Sequence, residues 1–292
     1  MHQPIPQARF HDLIHAVRFG RYEGTEDAAR FGAIEDWDVS EVEDMSCAFQ
    51  FAQGFAPDLS RWDTGNVTNM SWMFHYARDF NASIGGWDTR RVTNMEGMFC
   101  FAVTFNRPVG GWNVSRVTNM AFLFYGAKAF NQPLGRWDVS RVRTMWSMFY
   151  GVRTFDQPLG RWDTSRVEDM AGMFMHARAF RQALERWDTG RVRRMTCMFY
   201  NASVFDQPLG RWDTSRAVDM TCMFYNAPCD GDRLRRWAIP VTAFETQEFR
   251  TYEHSCTAFV AGPLPPSLRG RPTASRTAFA EDMHEGECML LS

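Results

Sequence analysis

Tryptophan returns at Trp37, Trp62, Trp87, Trp112, Trp137, Trp162, Trp187, Trp212 and Trp237, every interval being 25 residues with no insertion. A fixed period between about 20 and 50 residues is the mark of stacked units, each too small to bury its own apolar face. Trp72 and Trp146 stand outside the column. Positions are given below as residues after the Trp of each coil, so that +8 is Met45, Met70, Met95 and so on to Met220.

Other columns travel with the Trp. Position +12 is Phe from Phe49 to Phe224, and +15 is Ala except at Val152. Position +18 is Phe from Phe55 to Phe205, after which Asp230 breaks it. Position +5 is Val from Val42 to Val192, then Ala217 and Thr242. Eight repeats therefore occupy 37–236, and the last decays.

Positions +8, +11, +12 and +15 stand in i, i+3, i+4, i+7 spacing, which predicts the apolar stripe of a helix of about two turns. Position +7 is Asp44, Asn69, Asn94, Asn119, Asp169 or Asp219 in six coils, residues suited to cap that helix; Arg194 is not. The segment 134–139 (LGRWDV) alternates inward and outward, as a short strand would. The expected unit is thus a short strand and a short helix, stacked so that Trp meets Trp and Phe meets Phe.

The string W-D-x-S-x-V-x-x-M-x-x-M-F-x-x-A-x-x-F-N-Q-P-L-G, shown nearly whole from Asp138 to Gly160, resembles the BspA-like leucine-rich-repeat family, the DUF285 repeat of mycoplasma-type surface proteins. The resemblance covers 37–236. It implies a leucine-rich-repeat-like solenoid of eight 25-residue coils with one parallel sheet along the array. It also implies a surface or interaction protein, and it brings no catalytic residues.

Three segments are expected: an N-terminal helical cap at 1–36, the repeat array at 37–236, and a C-terminal cap with a partly disordered tail at 237–292. In the last, Phe244, Phe249 and Tyr252 are placed to cover the open end, and 258–278 reads as a Pro- and Gly-rich linker. The array carries a small positive balance and both flanks a negative one, for a net charge of −2 over the whole chain. That gives no global pull toward nucleic acid or membrane. No apolar run approaches the ~20 residues of a membrane span. The N-terminal residues lack the apolar core of a signal peptide, so an intracellular setting is expected, while the resemblance points to the surface or to secretion.

Motifs for nucleophilic hydrolysis, nucleotide binding or zinc proteolysis are absent, so no catalytic residue, metal or cofactor is expected. His75 and His176 lie four repeats apart, too distant to share a metal. The chain has seven Cys, and no C-x2-C pair. Cys197 and Cys222 occupy one column in adjacent coils, and without a leader both are expected as thiols.

The expected function is a non-catalytic scaffold that binds another macromolecule, in the first place a protein; the alternative is an adhesin-like structural protein of the cell surface. Partner choice should lie where the repeats differ, at +9, +10, +13 and +14. Those positions hold Trp72, His75, Tyr76, Phe101, Phe122, Tyr125, Trp146 and Tyr150. Either they are exposed and able to act as binding hot spots, or they pack between coils. A second candidate is the basic face formed by Arg141, Arg143, Arg166, Arg191, Arg193 and Arg216. Glu168, Asp169 and Asp219 interrupt it and no aromatics interleave for base stacking, so nucleic acid is not the expected partner.

Overall fold

The computed structural model of the chain describes residues 3–228 together with Trp237. The expected cap and tail at 237–292 lie, Trp237 apart, outside the described residues.

The side-chain columns form as the period requires. All nine Trp of the column are at most 8% exposed. Successive indoles lie face to face, with ring centroids 6.3 Å apart for Trp37 and Trp62, 6.4 Å for Trp87 and Trp112, and 6.2 Å for Trp212 and Trp237. Each Phe at +12 stacks on the next, as Phe99 does on Phe124 at 5.6 Å. Within a coil the two Phe lie closer still from coil 2 onward, 3.9 Å between Phe124 and Phe130. The Met at +8 are buried beside them, so one core runs from coil to coil. Every indole N–H of the column from Trp62 onward donates to a carbonyl 28 residues earlier, for example Trp137 to Val109 at 3.1 Å, which ties successive layers of the stack through a buried polar bond.

The backbone corrects the expected fold class. Among the described residues there is no strand and no sheet, and the two α-helices, α1 (Gln7–Arg18) and α2 (Glu26–Phe31), both precede the first coil. A solenoid of strand-and-helix coils with a parallel sheet is therefore not what forms. Parallel pairing shrinks to isolated bridges at +7, from Asp44 with Asn69 to Arg194 with Asp219, and falls outside 134–139.

The apolar stripe is built from β-turns. The N–H groups at +11, +13 and +15 donate three residues back, as in Ala48 to Met45, Gln50 to Cys47 and Ala52 to Phe49. Those at +8, +10, +12 and +14 donate to the next coil, as in Met45 to Asn69, Cys47 to Ser71, Phe49 to Met73 and Phe51 to His75. Except in coil 7, where Arg194 has no acceptor to offer, the +9 N–H is accepted by the side chain at +7, as in Ser71 to Asn69 Oδ1 at 3.1 Å and Ala171 to Asp169 Oδ1 at 3.0 Å. The Asn and Asp at +7 thus close Asx turns instead of capping helices. Positions +10 and +14 carry a positive φ in every coil, including Trp72 at 58°, Tyr76 at 56° and Phe122 at 57°. A positive φ is what a type II turn requires at its third residue. A helix would satisfy these N–H groups inside the coil and leave none for its neighbour. Alternating turns bury the same i, i+3, i+4, i+7 side chains and also bond coil to coil.

The Asp column at +1 has a similar local role. Asp63 accepts from Gly65 N–H, Asp138 from Ser140 and Asp213 from Ser215, at 2.9–3.1 Å.

Helix α1 covers the face of the first coil that has no coil before it. Phe10, Leu13 and Ile14 are buried there, Phe10 edge-on to Trp62 at 5.9 Å. Its polar side chains replace the missing backbone. Gln7 Nε2 donates to Asp44 O, His11 Nε2 to Ser46 O, and Arg18 Nη1 and Nη2 to Ala48 O and Gln50 O. Gln7 Oε1 accepts from the N–H groups of Glu43 and Asp44, both at 2.8 Å. Trp37 has no preceding coil either, and its N–H goes to Tyr22 Oη and Gly32 O.

Candidate interaction face

Since +8, +11, +12 and +15 face the core, the residues at +9, +10, +13 and +14 stand on the outer side of each turn run. There the aromatic candidates form a continuous seam. Tyr76 meets Phe101 at 4.5 Å, Phe101 meets Tyr125 at 5.2 Å, and Tyr125 lies parallel to Tyr150 at 4.2 Å. A second file crosses it: Trp72 reaches Phe122 at 5.9 Å, and Phe122 reaches Trp146 at 4.5 Å. The first of these contacts spans a coil, because the residue between Trp72 and Phe122 in their column is Gly97. A Cβ on Gly97 would lie 2.2 Å from the Trp72 ring, so the missing side chain is what seats the indole.

Packing therefore decides most of these positions. Trp72, Tyr76, Phe101, Phe122, Tyr125 and Tyr150 are half-buried, and His75 is buried at 5% exposure. Of the two readings left open for them, packing holds for Trp72 and Tyr150: each lies against its neighbours in the seam. Trp146 differs, with 43% of its surface exposed. It stands at +9 in coil 5, where the adjoining coils have only Ala121 and Ala171 in its column, so it has no same-column ring to stack on.

Beside Trp146 lies an open groove of about 540 Å³. Its floor follows the +6 and +7 residues of successive coils, bringing Arg143, Glu168 and Arg193 into line with Thr144, Asp169 and Arg194. Glu96, Asn119 and Ala121 close one end and Val218, itself 57% exposed, marks the other. Much of its charge is paired. Arg143 holds Glu168 at 3.0 Å, Arg194 bonds Asp169, and Asn119 Nδ2 donates to Glu96 Oε2 at 2.9 Å. The Arg194 guanidinium also lies over the Trp146 ring, 5.9 Å from its centroid.

The basic candidates divide. Arg143 and Arg193 line the groove, whereas Arg141, Arg166, Arg191 and Arg216, all at +4, are exposed and do not. Glu96, Asn119 and Val218 join the groove without having been singled out as interaction residues from sequence. Their signal was available: each sits at +6, +7 or +9 in a coil within three of Trp146.

His75 is the unusual polar group of the seam. Its Nδ1 is 2.8 Å from Gln50 Nε2, and its Nε2 has no hydrogen-bond partner. The ring is set edge-on to Trp72 and Tyr76. Burial lowers its pKa from 6.5 to about 4, so it is neutral at pH 7. Among the described residues no group of three or more His, Cys, Asp or Glu is placed to hold a metal ion, and no helix is long and apolar enough to cross a membrane.

No curated protein and no solved structure matches the chain. A family model described as "Mycoplasma protein of unknown function, DUF285" matches residues 21–136 and again 123–237. Together the two matches take in all the stacked coils described above and more than half of the chain. The chain belongs to the DUF285 family.

Proposed function

We propose that this protein is a non-catalytic repeat scaffold that binds another protein at the Trp146 groove. The observation that carries the reading is Trp146, 43% exposed and lining the groove; Phe51, the other exposed aromatic on this outer side at 49%, packs on His75 and Tyr76 and does not line it. A large indole left open beside exposed Val218 and paired charges has the composition of a binding hot spot. The backbone along the groove floor is already engaged between coils, as in Glu168 N–H to Arg143 O. A partner would therefore be recognised through side chains, without adding a strand. Acidic Glu168 and Asp169 interleave with the arginines, which favours a protein over a nucleic acid. Closer kinship with BspA-like surface proteins rests on the repeat string alone, the strand and helix of a leucine-rich coil being absent. Sequencing the mature N-terminus from the native source would separate a processed, displayed protein from an unprocessed one.

The test is affinity capture from the native source with wild-type chain and the Trp146→Ser variant, followed by titration of the captured partner. The expected result is a partner whose affinity drops about thirtyfold in the variant, with the melting temperature within a few degrees of wild type. Equal capture by both proteins would remove Trp146 from the function.

A further inference from the structure

The +10 column passes through Ser147, Gly172, Cys197 and Cys222 in coils 5 to 8. The spacing of side chains in this column can be measured where it meets glycine. A Cβ on Gly172 would lie 3.9 Å from Ser147 Cβ and 2.8 Å from Ser147 Oγ. The γ atom of one coil is thus directed at the β carbon of the next. Cysteines joined by a disulfide have Cβ atoms about 3.5–4.5 Å apart. The two cysteines repeat that local backbone. Ser147 N–H donates to Ala171 O and Cys197 N–H to Thr221 O, both at 2.8 Å. The φ angles are 50° at Ser147, 54° at Cys197 and 52° at Cys222. Both cysteines are thiols, and both are half-buried.

We propose that Cys197 and Cys222 are a redox modification site, able to close a disulfide that staples coil 8 onto coil 7. Coil 8 has most to gain. Its Phe224 is only partly buried, where Phe174 and Phe199 are fully buried, and Ala217 replaces the Val found at +5 in earlier coils. The co-reactant is a low-molecular-weight disulfide such as glutathione disulfide. One cysteine thiolate attacks it, forming a mixed disulfide and releasing one thiolate. The second cysteine thiolate then attacks the protein sulfur of that mixed disulfide and releases the other small thiol. The two cysteines give up two protons and two electrons, and the small disulfide becomes two thiols. The bond closes a loop of one repeat and restricts the unfolded chain.

The experiment equilibrates the purified full chain in glutathione buffers of rising oxidised fraction, quenches with an alkylating agent, and maps linked peptides by mass spectrometry without reduction. The expected product is a Cys197–Cys222 link within one molecule, retained in Cys229→Ser, lost in Cys222→Ser, and accompanied by a rise of a few degrees in the melting temperature. Full alkylation of both cysteines at the most oxidising ratio would overturn the proposal, as would a link from Cys197 to any other cysteine or between molecules. The wild-type peptide map decides the matter even if a variant fails to fold.

Discussion

The Arg18 guanidinium donates at 2.6 Å to the carbonyl of Gln50, the +13 oxygen that in every later described coil accepts the +14 N–H of the coil before. With Gln7 and His11 it makes α1 a side-chain substitute for a backbone edge. Spacing on the helix permits this, since residues 7, 11 and 18 fall on one face.

Arg18→Ala should lower stability by about 1–3 kcal/mol, because the Ala48 and Gln50 carbonyls lose their donors at a partly buried site. Chemical denaturation would measure it. Gln7→Ala should have a local signature as well: the amides of Glu43 and Asp44 lose their acceptor, and their hydrogen exchange should accelerate ahead of the coil core.

Phe149→Ala in a middle coil should cost about 3–5 kcal/mol through the cavity it leaves. Its ring touches Phe124, Phe155, Trp162 and Phe174. Phe224→Ala should cost clearly less, since that ring is only partly buried. Equal losses in thermal melts would contradict a stability set by neighbouring coils.

Two glycines with nearly the same role should respond differently to alanine. Gly151 has φ of 68° and nothing nearer to an added Cβ than Gly126 Cα at 3.9 Å. Its substitution should cost only the left-handed backbone term, about 1–2 kcal/mol. Gly97 has φ of 58° and a Trp72 ring carbon 2.2 Å from the new Cβ, so the indole must leave its seat. Gly97→Ala should be the more damaging, and Trp72 fluorescence should shift with it.

Stability should fall as pH drops from about 6.5 to about 4. The His75 pKa is lowered by burial, so in that window the unfolded chain takes up a proton that the folded chain refuses. At the acid end the loss approaches about 3 kcal/mol. It is absent above pH 6.5, where both states are neutral. His75→Phe should flatten this part of the pH profile in denaturant titrations. Carboxylates such as Asp163, held low by the hydroxyl and amide of Ser165, act at lower pH and should leave the acid limb of the variant unchanged.

Much of the interior was legible in the chain itself. The unbroken interval of the Trp, Met and Phe columns requires like residues to stack, and the stacked rings are where that reading puts them. The candidate face was legible only in part. The same reasoning that selected Trp146 also selected Trp72 and Tyr150, and a sequence pattern does not show which side chains the next coil covers. Gly97 beside Trp72, and Ala121 and Ala171 beside Trp146, settle that through neighbours 25 residues away.

By itself the sequence determined the period, the contents of the core and the positions left facing outward, because burial of large apolar side chains depends on spacing alone. Only the tertiary structure decided how the backbone runs between them. Spacing of i, i+3, i+4, i+7 is common to a two-turn helix and to a chain of β-turns, and the choice turns on where the N–H groups find acceptors. In a stack each coil presents carbonyls to its neighbour, so every second N–H bonds across the junction and the residues at +10 and +14 take a positive φ. Those acceptors belong to another coil and exist only once the coils have come together.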